Sequence, residues 1–151
     1  MNRLRVPVAI GLLLVLAACD QAAETAGLRT PPPFPGSAAA LEWSDAGAVP
    51  PGFGPDDRGY ASPQALIDAI VAFAQEERGP GGGVEMEAHL LGSDGRGGAV
   101  GVIYVLGSFD DAVAGDEVQL SMLPGDDGQW RVAGARVRTH CRRGVSEGLC
   151  R

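Results

Sequence analysis

Residues 62–78, SPQALIDAIVAFAQEER, and residues 99–106, AVGVIYVL, decide the fold of this chain. In the first stretch apolar residues recur at helical spacing, which predicts an amphipathic helix with one buried stripe. Ser62 and Pro63 are residue types favoured at the cap and first position of a helix, and Gly79-Pro80 is typical of a helix end. The second stretch is apolar throughout and predicts a strand covered on both faces.

Three further strands are predicted around the central one. Alternating apolar and polar residues indicate strands at 84–90 and 117–122, each with one face towards water, and another strand begins at Trp130 and ends near Thr139. Glycine-rich turns at 92–98 and 124–128 are short enough to join antiparallel neighbours. We therefore expect an α+β domain over residues 61–151, with one N-terminal helix packed on a four-stranded antiparallel meander.

One helix followed by four antiparallel strands, from about Ser62 to Thr139, resembles the cystatin-like architecture. More loosely, it resembles the nuclear-transport-factor-2-like folds. Cystatins carry a Gln-x-Val-x-Gly inhibitory loop, and this sequence has none. Since such scaffolds host many unrelated functions, the architectural resemblance assigns no activity.

The first nineteen residues combine Arg3 and Arg5, an apolar run over residues 6–17, and Leu16-Ala17-Ala18-Cys19. Together they resemble a bacterial lipoprotein signal peptide. The resemblance implies that residues 1–18 are removed and that Cys19, acylated with diacylglycerol and palmitate, holds the protein in a lipid membrane. It implies a location on the extracytoplasmic (periplasmic) side of the cell envelope, and Asp20 resembles an inner-membrane retention signal. An ordinary cleaved secretory peptide and an uncleaved interfacial helix are the alternatives.

Residues 19–60 are rich in Ala, Pro and Gly, with proline runs at 31–35 and 49–55. Such a composition favours extended chain without a core of its own, so we interpret the segment as a lipidated tether. Phe34, Trp43 and Phe53 leave open a second interpretation, in which the segment packs on the domain as an arm. Residues 37–43 could then form a short helical turn.

Cys141 and Cys150 remain as a pair once Cys19 is taken by lipid. Disulfides persist in extracytoplasmic compartments, so we predict a structural disulfide between the two. A redox dithiol would need a closer spacing. A zinc site that also uses His89 and His140 has suitable ligand types but fits no common spacing.

Charge is distributed unevenly along a chain of net charge −7 that contains no lysine. An acidic body repels phosphate backbones, which argues against nucleic acid as a partner. Residues 129–151, by contrast, hold six arginines and one acid, Glu147. Four of these arginines are candidate contacts for a small acidic ligand or an anionic headgroup: Arg136, Arg138, Arg142 and Arg143. The alternative is that they neutralise acids of neighbouring strands, such as Glu117.

No nucleophile setting, phosphate-binding loop or calcium loop can be identified in the sequence, and the acid pairs lie in turns, where aspartate is common. We therefore assign no catalytic residue, no metal and no cofactor. The leading hypothesis is a membrane-anchored, non-catalytic domain that binds an envelope protein or a small acidic ligand. One alternative is a small enzyme with a pocket between helix and sheet, which a deep pocket holding a buried carboxylate or histidine would favour. Another is a structural component of an envelope assembly.

Overall fold

A six-stranded antiparallel sheet carries one helix on one of its faces, which confirms the α+β class. The computed structural model describes residues 27–47, 58–78, 84–107 and 110–151. Its elements are β1 (Ala39–Ala40), β2 (Ser44–Gly47), α1 (Pro63–Arg78), β3 (Glu85–Ser93), β4 (Ala99–Leu106), β5 (Val113–Pro124), β6 (Trp130–Cys141), β7 (Val145–Ser146) and β8 (Leu149–Cys150). The last two strands form a small separate hairpin.

The sheet has two more strands than the four predicted. Strands β3, β4, β5 and β6 are neighbours in chain order, and both β1 and β2 pair with the outer edge of β6. These two strands precede α1, so the helix is not the first element of the described fold. Their sequences, two alanines and Ser-Asp-Ala-Gly, carry no alternation of apolar and polar residues that would predict a strand.

Helix α1 begins as its sequence predicts, because the Ser62 hydroxyl accepts a hydrogen bond from the Ala65 amide at 3.1 Å. Its apolar stripe is buried against β3, β4 and β6. The helix approaches closely at Gly101 of β4, where an added Cβ would lie only 2.4 Å from Cδ1 of Ile67. Gly79-Pro80 lies outside the described residues.

Strand β4 is buried on both faces, in agreement with its apolar sequence. Ile103 and Val105 belong to the core beneath α1, whereas Val102 and Tyr104 belong to a second apolar cluster on the opposite face. Phe34 completes this second cluster. The second face is therefore covered by a part of the chain that precedes the helix.

Residues 27–47, which we call the arm, cross this second face. The Arg29 amide donates to the Leu91 carbonyl at 2.8 Å, and the Tyr104 hydroxyl donates to the Pro32 carbonyl at 2.5 Å. The arm then turns along β6, where the amides of Ala38 and Leu41 donate to β6 carbonyls.

Residues 27–47 thus lie on the sheet, although we interpreted residues 19–60 as a tether. Strand β1 lies within residues 37–43, for which we had considered a short helical turn. A proline-rich segment cannot build a core alone, but here an existing sheet supplies one. Residues 19–26 and Phe53 lie outside the described residues. So does the predicted signal peptide. Within the described ranges, no helix is long and apolar enough to cross a membrane.

Candidate functional site

Polar side chains gather on the second face of the sheet beneath the arm. Strand alternation and register place Tyr104, Glu117 and Arg138 side by side across β4, β5 and β6. His140 follows Arg138 two residues later on the same face of β6. We call these four residues the buried polar cluster.

Glu117 is the centre of the cluster, and its side chain is almost fully buried at 1% exposure. Its Oε2 accepts a hydrogen bond from Arg138 Nε at 2.8 Å and forms an ion pair with Arg138 Nη2 at 2.7 Å. The same oxygen lies 2.8 Å from His140 Nε2. A buried carboxylate is tolerated only with such partners. Residue alternation had placed Glu117 on a face towards water, and the arm removes that water.

His140 joins the cluster to the arm. It is 6% exposed, its Nδ1 lies 2.9 Å from the Ser37 hydroxyl, and its ring stacks on Phe34 with centroids 4.0 Å apart. Burial lowers the pKa of His140 below its ordinary value, against the opposing pull of Glu117. The neutral imidazole therefore donates from Nε2 to Glu117 and accepts the Ser37 proton at Nδ1. The Ser37 hydroxyl also lies 2.9 Å from the Ala39 carbonyl, and its single proton serves one acceptor at a time.

Tyr104 closes the cluster on the β4 side. Its ring contacts Phe34 with centroids 4.9 Å apart, and burial, together with the negative charge of Glu117, raises the pKa of its hydroxyl. The hydroxyl therefore stays protonated at neutral pH and donates to the arm. Acid and base chemistry is possible for the side chains of Glu117, His140 and Tyr104. In this arrangement, however, Tyr104 and His140 bond to the arm, and Glu117 holds His140 in position.

An open cleft of about 430 Å³ lies beside the cluster, between β2 and the ends of β5 and β6 that face the β5–β6 turn. Its polar wall includes Ser44, Asp45, Gln119, Ser121 and Arg136, and its aromatic wall is Trp43. The volume falls within the range that small-molecule sites occupy.

Trp43 of the arm packs on two guanidinium groups of β6. The ring centroid lies 4.5 Å from Cζ of Arg136 and 4.4 Å from Cζ of Arg138, which are cation–π distances. Arg136 also donates from Nε to the Gln119 side-chain oxygen at 2.6 Å. Two independent contacts thus hold the Arg136 guanidinium at the wall of the cleft.

The four arginines singled out from the sequence do not form one site. Arg136 and Arg138 share a strand face, but Arg138 is committed to Glu117. Arg142 donates to the Val113 carbonyl at 3.0 Å, and Arg143 pairs with Asp111 at 2.5 Å. Of the four, Arg136 alone lines the cleft.

Cys141 and Cys150 are joined in a disulfide, with their Sγ atoms 2.00 Å apart, so neither offers a thiolate to zinc. Among the described residues no group of three or more His, Cys, Asp or Glu side chains could hold a metal ion. His89 lies apart from His140: its Nε2 is 3.7 Å from a Glu87 oxygen, and its ring contacts the edge of Tyr104. Cys19 lies outside the described residues.

Sequence reasoning missed Ser37 and Trp43 as parts of the site. The sequence feature that could have indicated them was the presence of aromatic residues, Phe34, Trp43 and Phe53, in a segment whose composition is otherwise typical of a spacer. In comparisons with known proteins, no family model, no curated protein and no solved structure matches this chain.

Proposed function

We propose that this protein is a lipid-anchored, non-catalytic binding domain on the extracytoplasmic side of the cell envelope, with the cleft lined by Trp43 and Arg136 as its ligand site. A contrast between the buried polar cluster and the neighbouring cleft favours binding over catalysis. Glu117 and His140 are enclosed beneath Phe34, whereas Arg136 is held in a fixed orientation at an open cleft.

The anchor is supported by the residues around Cys19 and by the oxidised cysteine pair. Leu16-Ala17-Ala18-Cys19 after a basic, then apolar, leader resembles a lipoprotein signal. A disulfide is typical of compartments outside the cytoplasm. Asp20 favours the inner membrane in a bacterium with two membranes.

A small acidic compound is the ligand that the cleft fits best. The terminal nitrogens of Arg136 have no hydrogen bond to any described residue, while its Nε is satisfied by Gln119. A guanidinium fork in this state can bind a carboxylate or phosphate through two parallel hydrogen bonds.

The alternative of a small enzyme requires a pocket between the helix and the sheet, and side chains fill that space. Ile67 and Ile70 of α1 have no solvent exposure, and Leu120 of β5 is equally buried beneath them. A filled core between helix and sheet favours the binding proposal.

The anchor is tested by the intact mass of the membrane-extracted protein, measured before and after reduction and thiol labelling. We expect a chain that starts at Cys19 with added acyl mass, and two thiols that become labelled only after reduction. A soluble species without lipid would contradict the anchor.

The ligand site is tested by Trp43 fluorescence in the full chain, with Trp130→Phe as background so that one indole reports. Glucuronate and glutamate, two small carboxylic acids, are the probes. We expect them to change the emission, Arg136→Gln to abolish the change, and Arg143→Gln, a surface arginine outside the cleft, to preserve it. If neither probe changes the emission, the cleft is not a site for such acids, and the anchor is unaffected.

A further inference from the structure

The arm brings the N-terminal side of the chain to one end of the sheet. The Arg29 amide binds the Leu91 carbonyl, near the turn at 94–98 that joins β3 and β4. In an antiparallel meander the β5–β6 turn at 125–129 lies at this same end. We call the two turns, the adjoining strand residues 123–124 and 130–131, and residues 27–29 the hairpin end.

The disulfide hairpin lies at the opposite end of the sheet. Leu106 of β4 pairs with Gly115, and Cys141 pairs with Val113, so the base of the β7–β8 hairpin is level with the far end of β4. The five residue steps from Gly101, which pairs with Leu90, to Leu106 span about 17 Å of strand.

The chain available between Cys19 and the arm is short. From Cys19 to Gly27 there are 27 − 19 = 8 residue steps, which span at most about 28 Å however they are arranged. A tether over the whole of residues 19–60 would instead reach about 140 Å. Docking of the arm therefore holds the domain close to the point where its lipid enters the bilayer.

The hairpin end also carries exposed apolar side chains. Among the described residues, Leu28 is 51% exposed and Leu123 is 47% exposed, while Val145 and Leu149 of the disulfide hairpin are 40% and 69% exposed, so exposed apolar side chains alone do not distinguish the two ends. Leu123 lies against the β3–β4 turn, since a Cβ added at Gly98 would be 2.9 Å from its Cδ2. Such side chains suit the boundary between headgroups and acyl chains.

Charge at the hairpin end is close to balanced. Its arginines are Arg29, Arg96 and Arg131, and its acids are Asp94, Asp126 and Asp127. Asp127 pairs with Arg131, and Asp94 accepts hydrogen bonds from amides of its own turn. A zwitterionic lipid surface therefore meets neither strong attraction nor strong repulsion.

We propose that the hairpin end lies on the lipid surface, with Leu28 and Leu123 in contact with it, and that the disulfide hairpin points away from the membrane. This inference rests on the proposed acylation of Cys19. Two observations carry it: the short chain before the arm and the entry of the arm at this end of the sheet.

The orientation is tested with the acylated full chain on phosphatidylcholine vesicles that contain a lipid with a nitroxide headgroup. Arg96→Cys and Leu149→Cys each introduce one thiol for a bimane fluorophore, and the native cysteines stay blocked by lipid or disulfide. We expect quenching by the nitroxide to be several-fold greater at position 96 than at position 149. Equal quenching on bound chain, or greater quenching at 149, overturns the orientation and leaves the anchor standing. Chain that stays off the vesicles overturns the anchor and the orientation together.

A longer chain between Cys19 and the arm tests whether the short connection, and not nonspecific adhesion of the hairpin end to lipid, sets the orientation. A long Gly-Ser linker inserted between Ala26 and Gly27 extends the reach of the anchor. We expect it to reduce quenching at position 96 towards the value at 149, while the same linker added after Arg151 leaves the difference unchanged. Unchanged quenching at 96 after the first insertion would overturn the inference.

Discussion

Phe34→Ala should loosen the arm from the sheet. The Phe34 side chain is 7% exposed and contacts the rings of Tyr104 and His140. It also fits against Gly115, where an added Cβ would be 2.8 Å from its ring. No other aromatic residue of the arm is buried to this extent.

The expected loss follows from the burial of the ring. Truncation of a buried phenylalanine to alanine costs about 3–5 kcal/mol in a protein core. The arm can leave while the helix and the four long strands stay folded, so its docking free energy limits the loss. We therefore expect the free energy of unfolding to fall by about 3 kcal/mol, at the lower end of that range.

Two measurements on the full chain in detergent test this prediction. Urea denaturation gives the change in the free energy of unfolding, and hydrogen exchange by mass spectrometry follows peptides within residues 27–47. A loss of about 3 kcal/mol should accelerate exchange of the Ala38 and Leu41 amides by about two orders of magnitude. Leu149→Ala is the matched control, because that side chain is 69% exposed and its truncation should change stability by less than about 0.5 kcal/mol.

Unchanged stability together with unchanged exchange would refute the reasoning. In that case Phe34 would not hold the arm, and the contacts of His140 with the arm would have to be explained in another way. Faster exchange confined to the arm, with little change in urea denaturation, would contradict the predicted fall in the free energy of unfolding and would show that the arm detaches without weakening the sheet.

Three further predictions concern single residues and one bond. Gly115→Ala should destabilise the fold by about 3 kcal/mol in thermal or urea unfolding, because its Cβ would lie 2.2 Å from a β4 carbonyl oxygen at a φ of +150°. Gly134→Ala, with open space at the Cβ position, should change stability by no more than about 1 kcal/mol. Because burial lowers the pKa of His140 from 6.5, its contribution to stability is complete above pH 6.5 and declines as the pH falls through the folded-state pKa. Denaturation midpoints should therefore fall below pH 6.5 in the native chain and fall less in His140→Gln. Reduction of the Cys141–Cys150 bond, which closes a loop with a separation of 9 residues, should lower the free energy of unfolding by about 2–3 kcal/mol; unchanged denaturation after complete reduction would contradict that estimate.

The helix and the long strands could be predicted because their signals are local. The stripe around Ile67, the cap at Ser62 and the apolar run of β4 are each contained within one stretch of sequence, and the structure places a helix and a central strand there. The sequence did not predict how far β5 and β6 extend, because their outer residues lack clear alternation.

The arm and the buried polar cluster could not be predicted because they depend on residues far apart in the chain. Ser37 and His140 are 103 positions apart, and neither has a local pattern that indicates the other. Glu117 alternates with apolar neighbours as a residue facing water does, and only the covering arm makes it buried. For the arginines, the sequence singled out Arg136 and Arg138 as candidate contacts, but the partner of each depends on register between strands.

The pairing of β1 and β2 with β6 also affects how the protein avoids self-association. Strand β6 is 12 residues long, and a bare edge of that length offers backbone amides and carbonyls on which another chain can add a strand. The arm occupies residues 135–141 of that edge from within the same molecule. The opposite edge, β3, is protected in a different way, by Glu85 and Glu87 and by an irregularity between Leu90 and Gly92. A proline-rich segment whose composition is typical of a spacer should therefore hinder edge-to-edge association, and a chain shortened past residue 47 should leave residues 135–141 of β6 without these partners.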